Sequence, residues 1–377
     1  MRESADFLLN CAIVLAGGNG ERLQPFVREL RGDDLPKQYV NFIGTRSMLE
    51  HTLDRAKKLI PPERIFTVIS KDHLRYPEVR RQLFSPLRGN VVVQPENRDT
   101  GPGLFLPLVH LCKRYPDSTV AVFPSDHFIL EEDIFMLHVS LAFRAVERDP
   151  ARIVLLGIKP DEPEMDYGYI VPGPEEPSGI CGVVSFVEKP EKQSACELLL
   201  RQGLWNTFVM VFHSGTLLDL IGIVFPAYAD AFNQISEAIG TREEKKVVQE
   251  AYQRMKPVNF SKGLLEVLPG YAYSALCVLP VMDVFWSDCG FGPRLMRTLK
   301  KAGYLSRFQR IPERKLFAYS SGVQNHNKST AIRNENKEEI NLSQAGAGKL
   351  GPVYPPVPIL SGENDLPATE SDGCLSL

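Results

Sequence analysis

At 377 residues the chain has room for about two or three domains at roughly 150 residues each. A composition of 44% hydrophobic and 24% charged residues excludes wholesale disorder. Lys plus Arg (43) nearly balance Asp plus Glu (46), giving a net charge of −3, so no global basic field exists for nucleic acid or an anionic membrane, and a charged ligand must be held by a local cluster.

The seven cysteines, at 11, 112, 181, 196, 277, 289 and 374, form neither a C-x-x-C pair nor a zinc spacing with histidine, which fits a reducing cytoplasm. No apolar run approaches the roughly 20 residues that cross a bilayer. Phe7–Ala16 has the apolar character of a short signal-peptide core. Against that reading, Arg2 is matched by Glu3 and Asp6, Asn10 interrupts the run, and cleavage near Ala16 would sever it from the glycine turn that follows. A cytoplasmic location is the expectation.

Along the chain, Cys11–Ala16, Arg64–Ile69, Asn90–Val93 and Thr119–Phe123 read as buried strands, with Met48–Leu59, His73–Leu83 and Gly103–Lys113 as crossover helices between them. This is the rhythm of an α/β, Rossmann-like, mainly parallel sheet flanked by helices. Next, Ile134, Leu137, His138, Leu141, Ala142 and Ala145 recur at helical spacing and predict a core-facing stripe, with His138 packed in it rather than serving as a ligand. After Ile153–Ile158 the pattern becomes mixed. Tyr167–Val171, Gly182–Glu188 and Thr207–Phe212 read as strands, Ala195–Arg201 and a stretch to about Gln253 as helical, and Tyr271–Leu279 and Leu295–Ala302 as a late strand and helix. There is no internal repeat. From Ser320 the sequence is rich in Ser, Asn, Gly, Pro and Glu, with Tyr354 its only aromatic, a composition that predicts a disordered C-terminal tail.

The first strand runs into Gly17-Gly18-Asn19-Gly20-Glu21-Arg22. Glycines let a backbone approach a ligand closely and expose N–H groups to a phosphate or a base edge. A dinucleotide fingerprint would need a small residue where Leu23 stands, and a P-loop would need Lys followed by Ser or Thr where Glu21-Arg22 stands. A purely structural turn remains open. Arg22, with Lys37 on the same connection, supplies two cations beside exposed amides, an arrangement suited to a polyphosphate.

These residues resemble a family. Leu15-Ala-Gly-Gly-x-Gly-x-Arg-Leu-x-Pro25 with Pro36-Lys37-Gln38 is similar to the signature of the sugar-1-phosphate nucleotidylyltransferases, most closely the mannose-1-phosphate guanylyltransferases. The resemblance continues through Gln94-Pro-Glu-Asn-Arg-Asp-Thr-Gly-Pro102, Phe123-Pro-Ser-Asp-His127, Asp166-Tyr-Gly-Tyr-Ile170, Phe186-Val-Glu-Lys-Pro190, Trp205-Asn206 and Trp286-Ser-Asp-Cys-Gly290. The ordered set covers about residues 11–300. It implies a sheet of the nucleotide-diphospho-sugar transferase type, one catalytic unit over about residues 7–318, and a polar tail over 319–377.

The resemblance also implies the site. Ala16, Gly17, Gly18, Gln94, Asn97 and Thr100 would bind the nucleotide, and Gly168, Glu188 and Asn206 the sugar. Asp126 and Asp288 would bind Mg²⁺, while Arg22, Lys37 and Lys189 would serve the reacting phosphates. Taken alone, each aspartate reads as a turn or capping residue and Lys189 as a solvated lysine. Mg²⁺ is usually held by one or two carboxylates together with substrate phosphates, so a distant pair suits that ion. The implied partners are GTP and mannose 1-phosphate, with a possible homo-oligomer. The implied reaction is direct in-line attack of the sugar phosphate on the α-phosphate, giving GDP-mannose and pyrophosphate. His127, beside Asp126, reads as structural, since an ionised phosphate needs no general base.

Two departures concern the sugar more than the reaction. Thr207-Phe208-Val209-Met210 stands where the family usually has Ser-Gly-Met-Phe, and Cys289-Gly290-Phe291-Gly292 replaces the usual Ile/Val/Leu-Gly-Ser-Trp. Rival expectations are another sugar 1-phosphate or NTP, or a catalytically silent sugar-nucleotide sensor. A retaining glycosyltransferase would normally carry Asp-x-Asp where Ser125-Asp126-His127 stands.

Overall fold

The structure is a computed structural model that describes residues 9–84, 89–270 and 275–304. In chain order it contains β1 (Asn10–Ala16), α1 (Gln24–Arg31), α2 (Met48–Ala56), β2 (Ile65–Ser70), α3 (Pro77–Leu83), β3 (Asn90–Gln94), α4 (Thr100–Arg114) and β4 (Thr119–Pro124). Then come β5 (Phe128–Ile129), α5 (Glu132–Arg148), β6 (Ile153–Ile158), β7 (Gly168–Glu175), β8 (Cys181–Glu188), α6 (Lys192–Leu200) and β9 (Leu204–His213). Three helices follow, α7 (Ser214–Val224), α8 (Pro226–Ala238) and α9 (Glu244–Arg254), before β10 (Leu276–Val281), β11 (Trp286–Ser287) and α10 (Gly292–Lys301).

Local chemistry explains several boundaries. Ser47 caps α2 and forms a reciprocal capping box with Glu50. Gly32, at φ 85°, ends α1 in the left-handed conformation. The single helix expected over His73–Leu83 is divided: a 3-10 turn over Lys71–Arg75 precedes α3, which starts on Pro77 because proline fits the first helical position but not an interior one. Pro107 nevertheless sits inside α4.

Nine strands make one sheet in the order β3-β2-β1-β4-β9-β6-β10-β8-β7. β3, β2, β1 and β4 are mutually parallel, whereas β9 runs antiparallel to both β4 and β6. β2, β4 and β6 are buried at every residue, as strands covered by helices on both faces require. One apolar layer joins α2, α5 and α10 to the sheet and the other joins α4 and α7 to α9. A small second sheet pairs β5 with β11, bringing Trp286 opposite Ile129. That pairing carries the late aspartate motif to the end of β4.

One expected core face is corrected. In α5 the buried residues are Phe135, Met136, Val139, Ala142, Phe143 and Val146, while Ile134, Leu137 and Leu141 are 40%, 58% and 38% exposed. His138 is outside the core too, with Nδ1 2.9 Å from the Ile134 carbonyl. α5 is apolar on more than one face; the periodicity marked one stripe, and packing chose an aromatic one that shares Ala142 with it. The described residues all lie in one compact unit spanning Met1–His326. The expected tail at 319–377, and Tyr271–Ser274 of the expected late strand, lie outside the described residues.

Candidate active site

In an open α/β sheet, ligands collect beyond the carboxyl ends of the strands where the strand order reverses. Here that point lies between β1 and β4, and a cavity of about 380 Å³ opens there. It is lined by Gly17, Gly18, Arg22, Gln94, Asn97, Thr100, Asp126, Gly168, Glu188, Lys189, Asn206 and Asp288, all twelve expected from the sequence. Lys37 lines an adjoining cavity of about 370 Å³, which shares Gly20, Arg22, Asn97 and Asp126 with the first. Ala16 lines neither: its methyl is in the core and its carbonyl accepts from the Gln38 carboxamide at 3.0 Å.

The glycine turn is held from behind. Gln38 Nε2 also donates to the Gly18 carbonyl at 2.8 Å. Tyr39 Oη lies 3.1 Å from His73 Nδ1, and His73 Nε2 lies 3.1 Å from Asn19 Oδ1. Burial lowers the His73 pKa to about 4, so the ring that makes both contacts is neutral, and the Tyr39 hydroxyl also donates to the Ala16 carbonyl at 3.3 Å. Two glycines have geometric reasons: a Cβ on Gly17 would displace the Gln94 carboxamide, and Gly20 has φ 63°. Gly18 faces open space. Gln94 is 1% exposed, and among the described residues its Oε1 has no hydrogen-bond donor. A buried orphan acceptor costs free energy until a ligand donor reaches it.

The charged residues interlock. Lys37 Nζ contacts Asp126 Oδ2 at 2.9 Å and donates to the Asp288 carbonyl at 2.8 Å. Burial alone would raise the Asp126 pKa, but the charge and hydrogen bond of Lys37 outweigh it and hold the carboxyl below its usual range. Asp288 follows the same logic, with burial overcome by Lys37 and Arg294. Asp288 Oδ1 accepts from Arg294 at 2.7 Å, the Gly290 amide at 2.9 Å and the Tyr167 hydroxyl at 3.0 Å, whereas among the described residues Oδ2 pairs with Arg22, at 3.7 Å. Arg22 also pairs with Asp166 at 2.8 Å. Lys189, exposed and at φ 50°, has no ion pair among the described residues.

Ionised Asp126 and Asp288 offer hard oxygens on one cavity, and no group of three or more His, Cys, Asp or Glu among the described residues could hold a metal by itself. This donor set fits a divalent cation that completes its shell with phosphate oxygens. Burial raises the Glu188 pKa, partly offset by Lys189. Glu188 is placed by its backbone amide, which donates to Glu266 Oε1 at 2.6 Å, and by Gly168 opposite it in the ladder, where a Cβ would stand 2.6 Å from Glu188 Oε2. Asn206, 8% exposed, spends its Oδ1 on the Phe208 amide at 3.0 Å.

Sequence reasoning missed Arg294, the buried cation that fixes Asp288, between the rings of Tyr167 and Phe291 at 4.3 and 4.4 Å. Arg294 could be noticed only as a cation in an amphipathic helix; its partners are Glu164, Asp166 and Tyr167 on one distant segment and Asp288 and Phe291 just before its own helix. Tyr167, Asp166 and Ser261 were also missed as cavity residues. His127 is fixed by the Trp286 indole, which donates to its Nδ1 at 3.2 Å.

Comparison with known proteins agrees with this geometry. A match to the nucleotidyl transferase family covers residues 11–301. The chain is 28% identical over 294 residues to the xanthan biosynthesis protein XanB of Xanthomonas campestris pv. campestris, a match covering 77% of this chain and 60% of that protein. It is 29% identical over 293 residues to mannose-1-phosphate guanylyltransferase 2 of Escherichia coli O157:H7, covering 74% and 58% respectively. The matches thus span about 60% of the length of these curated relatives. A crystal structure described as mannose-1-phosphate geranyltransferase from Thermus thermophilus superposes with a TM-score of 0.66 at 27% identity, covering 78% of each chain. With the family match running from β1 to the end of α10 and the family's motifs converging on one cavity, the chain belongs to the nucleotidyl transferase family.

Proposed function

We propose that the chain transfers a guanylyl group from GTP to mannose 1-phosphate, giving GDP-mannose and pyrophosphate. The observation that carries this reading is the convergence of Arg22, Asp126, Lys189 and Asp288 on one cavity that Gln94, Glu188 and Asn206 also line. The names of curated relatives support the substrate pair. The orphaned Gln94 Oε1 suits a base that presents donors, as guanine does through its amino group. Glu188 and Asn206 suit sugar hydroxyls.

A sugar 1-phosphate is already an ionised nucleophile, so positioning and charge neutralisation are the main catalytic demands. Lys189, free of ion pairs among the described residues, orients the attacking phosphate. Arg22 leaves Asp166 for the triphosphate and steadies the departing pyrophosphate, with Lys37 behind it. Asp126 and Asp288 would hold Mg²⁺ with the phosphate oxygens, and that ion supplies further charge neutralisation when bound. The catalytic unit proposed is residues 7–318, acting in the cytoplasm.

The test is a pyrophosphate-release panel crossing the four common NTPs with several sugar 1-phosphates in Mg²⁺. GTP with mannose 1-phosphate is expected to give the highest kcat/KM. Preferential use of UTP or dTTP would sink the guanylyl assignment, and tight GDP-mannose binding without turnover would favour a sensor.

A further inference from the structure

Phe208 has a geometry that packing alone does not explain. Opposite β6 the register of β9 jumps, with Leu155 facing Met210 but Gly157 facing Asn206, so Thr207, Phe208 and Val209 together stand against Leu156. This bulge is stapled by its own side chains. Thr207 Oγ1 donates to the Leu156 carbonyl at 2.7 Å and accepts from the Val209 amide at 3.1 Å, while the Phe208 amide donates to Asn206 Oδ1 at 3.0 Å. Phe208 is thereby held at φ 58°, a left-handed backbone that aromatic residues disfavour. Strain of this kind persists only where surrounding structure over-determines it, and it clusters at functional sites. Bulges beside active sites commonly re-aim one side chain.

Here the re-aimed side chain lines the cavity. Its ring is only partly buried and rests on Phe260, 5.9 Å away at 70°. Phe260 is itself tied to Thr100, whose Oγ1 accepts from the Phe260 amide at 2.8 Å. Asn206, two residues before Phe208, and Ser261, next to Phe260, line the same cavity beside Glu188. A buttressed aromatic ring therefore fills space next to the polar groups that suit sugar hydroxyls, at a backbone conformation that glycine would occupy without strain.

We propose that Phe208 is a specificity-determining residue, a wall that restricts the site to hexose 1-phosphates whose ring carries hydroxyls rather than a bulky acetamido group. This rests on the reading that the cavity takes a sugar 1-phosphate. The ring discriminates by volume, and its buttress on Phe260 keeps it from swinging aside when a larger substrate enters.

The experiment compares kcat/KM for a hexose 1-phosphate and its 2-acetamido counterpart in the wild type, Phe208→Gly and Phe208→Leu. The hydroxyl sugar is expected to be favoured in the wild type, and the ratio to shrink about tenfold or more in Phe208→Gly. Phe208→Leu, which keeps apolar bulk, should retain most of it. Phe208→Gly removes backbone strain and is expected to fold, with Phe208→Ala as the reserve variant. An unchanged ratio in the glycine and alanine variants overturns the proposal, as does a rise in the nucleotide KM with no change between sugars. Equilibrium binding of both sugar phosphates is measured alongside. If no pairing releases pyrophosphate in the wild type, the enzymatic reading fails by itself, and the ratio of the two dissociation constants across the variants still decides the role of Phe208.

Discussion

At the scale of single residues, the site depends on neighbours that hold the expected groups in place. Arg22→Ala and Asp126→Asn should each lower turnover by about 10²–10³-fold, the usual cost of losing one well-placed electrostatic group. Steady-state kinetics beside circular dichroism of the purified variants checks this. Asp288 needs gentler handling, because its Oδ1 accepts from Arg294, Gly290 and Tyr167. Asp288→Ala would remove one of the two close carboxylates of Arg294, leaving Glu164 at 2.5 Å, and breaking a buried ion pair commonly costs about 3–5 kcal/mol. Asp288→Asn preserves an acceptor for those donors and isolates the loss of charge. It should lose turnover like Asp126→Asn while keeping the wild-type melting temperature within a few degrees.

His73 carries a prediction of different sign from a surface histidine. Burial depresses its folded pKa from 6.5 to about 4, so between those values the unfolded chain binds more protons than the native one. The stability contributed by neutral His73 is complete above pH 6.5 and is lost as pH falls toward 4. That loss amounts to about 2 kcal/mol between roughly pH 8 and pH 5, from the linkage relation. Urea unfolding at both pH values should show it. His73→Gln should lower stability at the higher pH and flatten the difference between the two; an unchanged pH difference would contradict the assignment.

At the scale of elements, α5 separates what periodicity can and cannot tell. The stripe through Ile134, Leu137 and Leu141 obeys helical spacing as well as the buried one does. The buried face won because its aromatic and branched side chains pack against β4, β6 and β9. Leu137→Gln should therefore change stability by no more than about 0.5 kcal/mol, as surface substitutions do. Phe135→Ala, at a site with no exposure, should cost about 3–5 kcal/mol. Denaturant melts of the two variants give the comparison, and a larger loss from Leu137→Gln would reverse the assignment of faces. The glycine turn was legible for the opposite reason: its constraints are local, from the positive φ of Gly20 to the crowding at Gly17.

At the scale of the whole molecule, the site is closed by contacts that span nearly the full described chain. Lys37 and Asp288 are 251 residues apart in sequence, and Arg22 reaches both Asp166 and Asp288. Opening the segments that carry Arg22, Lys37, Asp166 or Asp288 breaks one of these links, so loss of catalytic activity in urea should coincide with loss of the far-ultraviolet signal. Activity that vanished well before the fold would mean the site opens independently of the sheet.

Composition, the alternation of strands and helices, and the ordered motifs determined the fold class, the family and twelve of the cavity residues, because glycine turns, strand ends and motif spacing are properties of short stretches of chain. The tertiary structure alone decided which face of α5 is buried, that Ala16 supports the turn from the core, and that Arg294 holds one oxygen of Asp288 and leaves the other facing Arg22. The bulge that turns Phe208 into the cavity belongs with these. Each depends on which of several chemically acceptable partners the packed sheet brings within reach, and that choice is made between segments far apart in sequence.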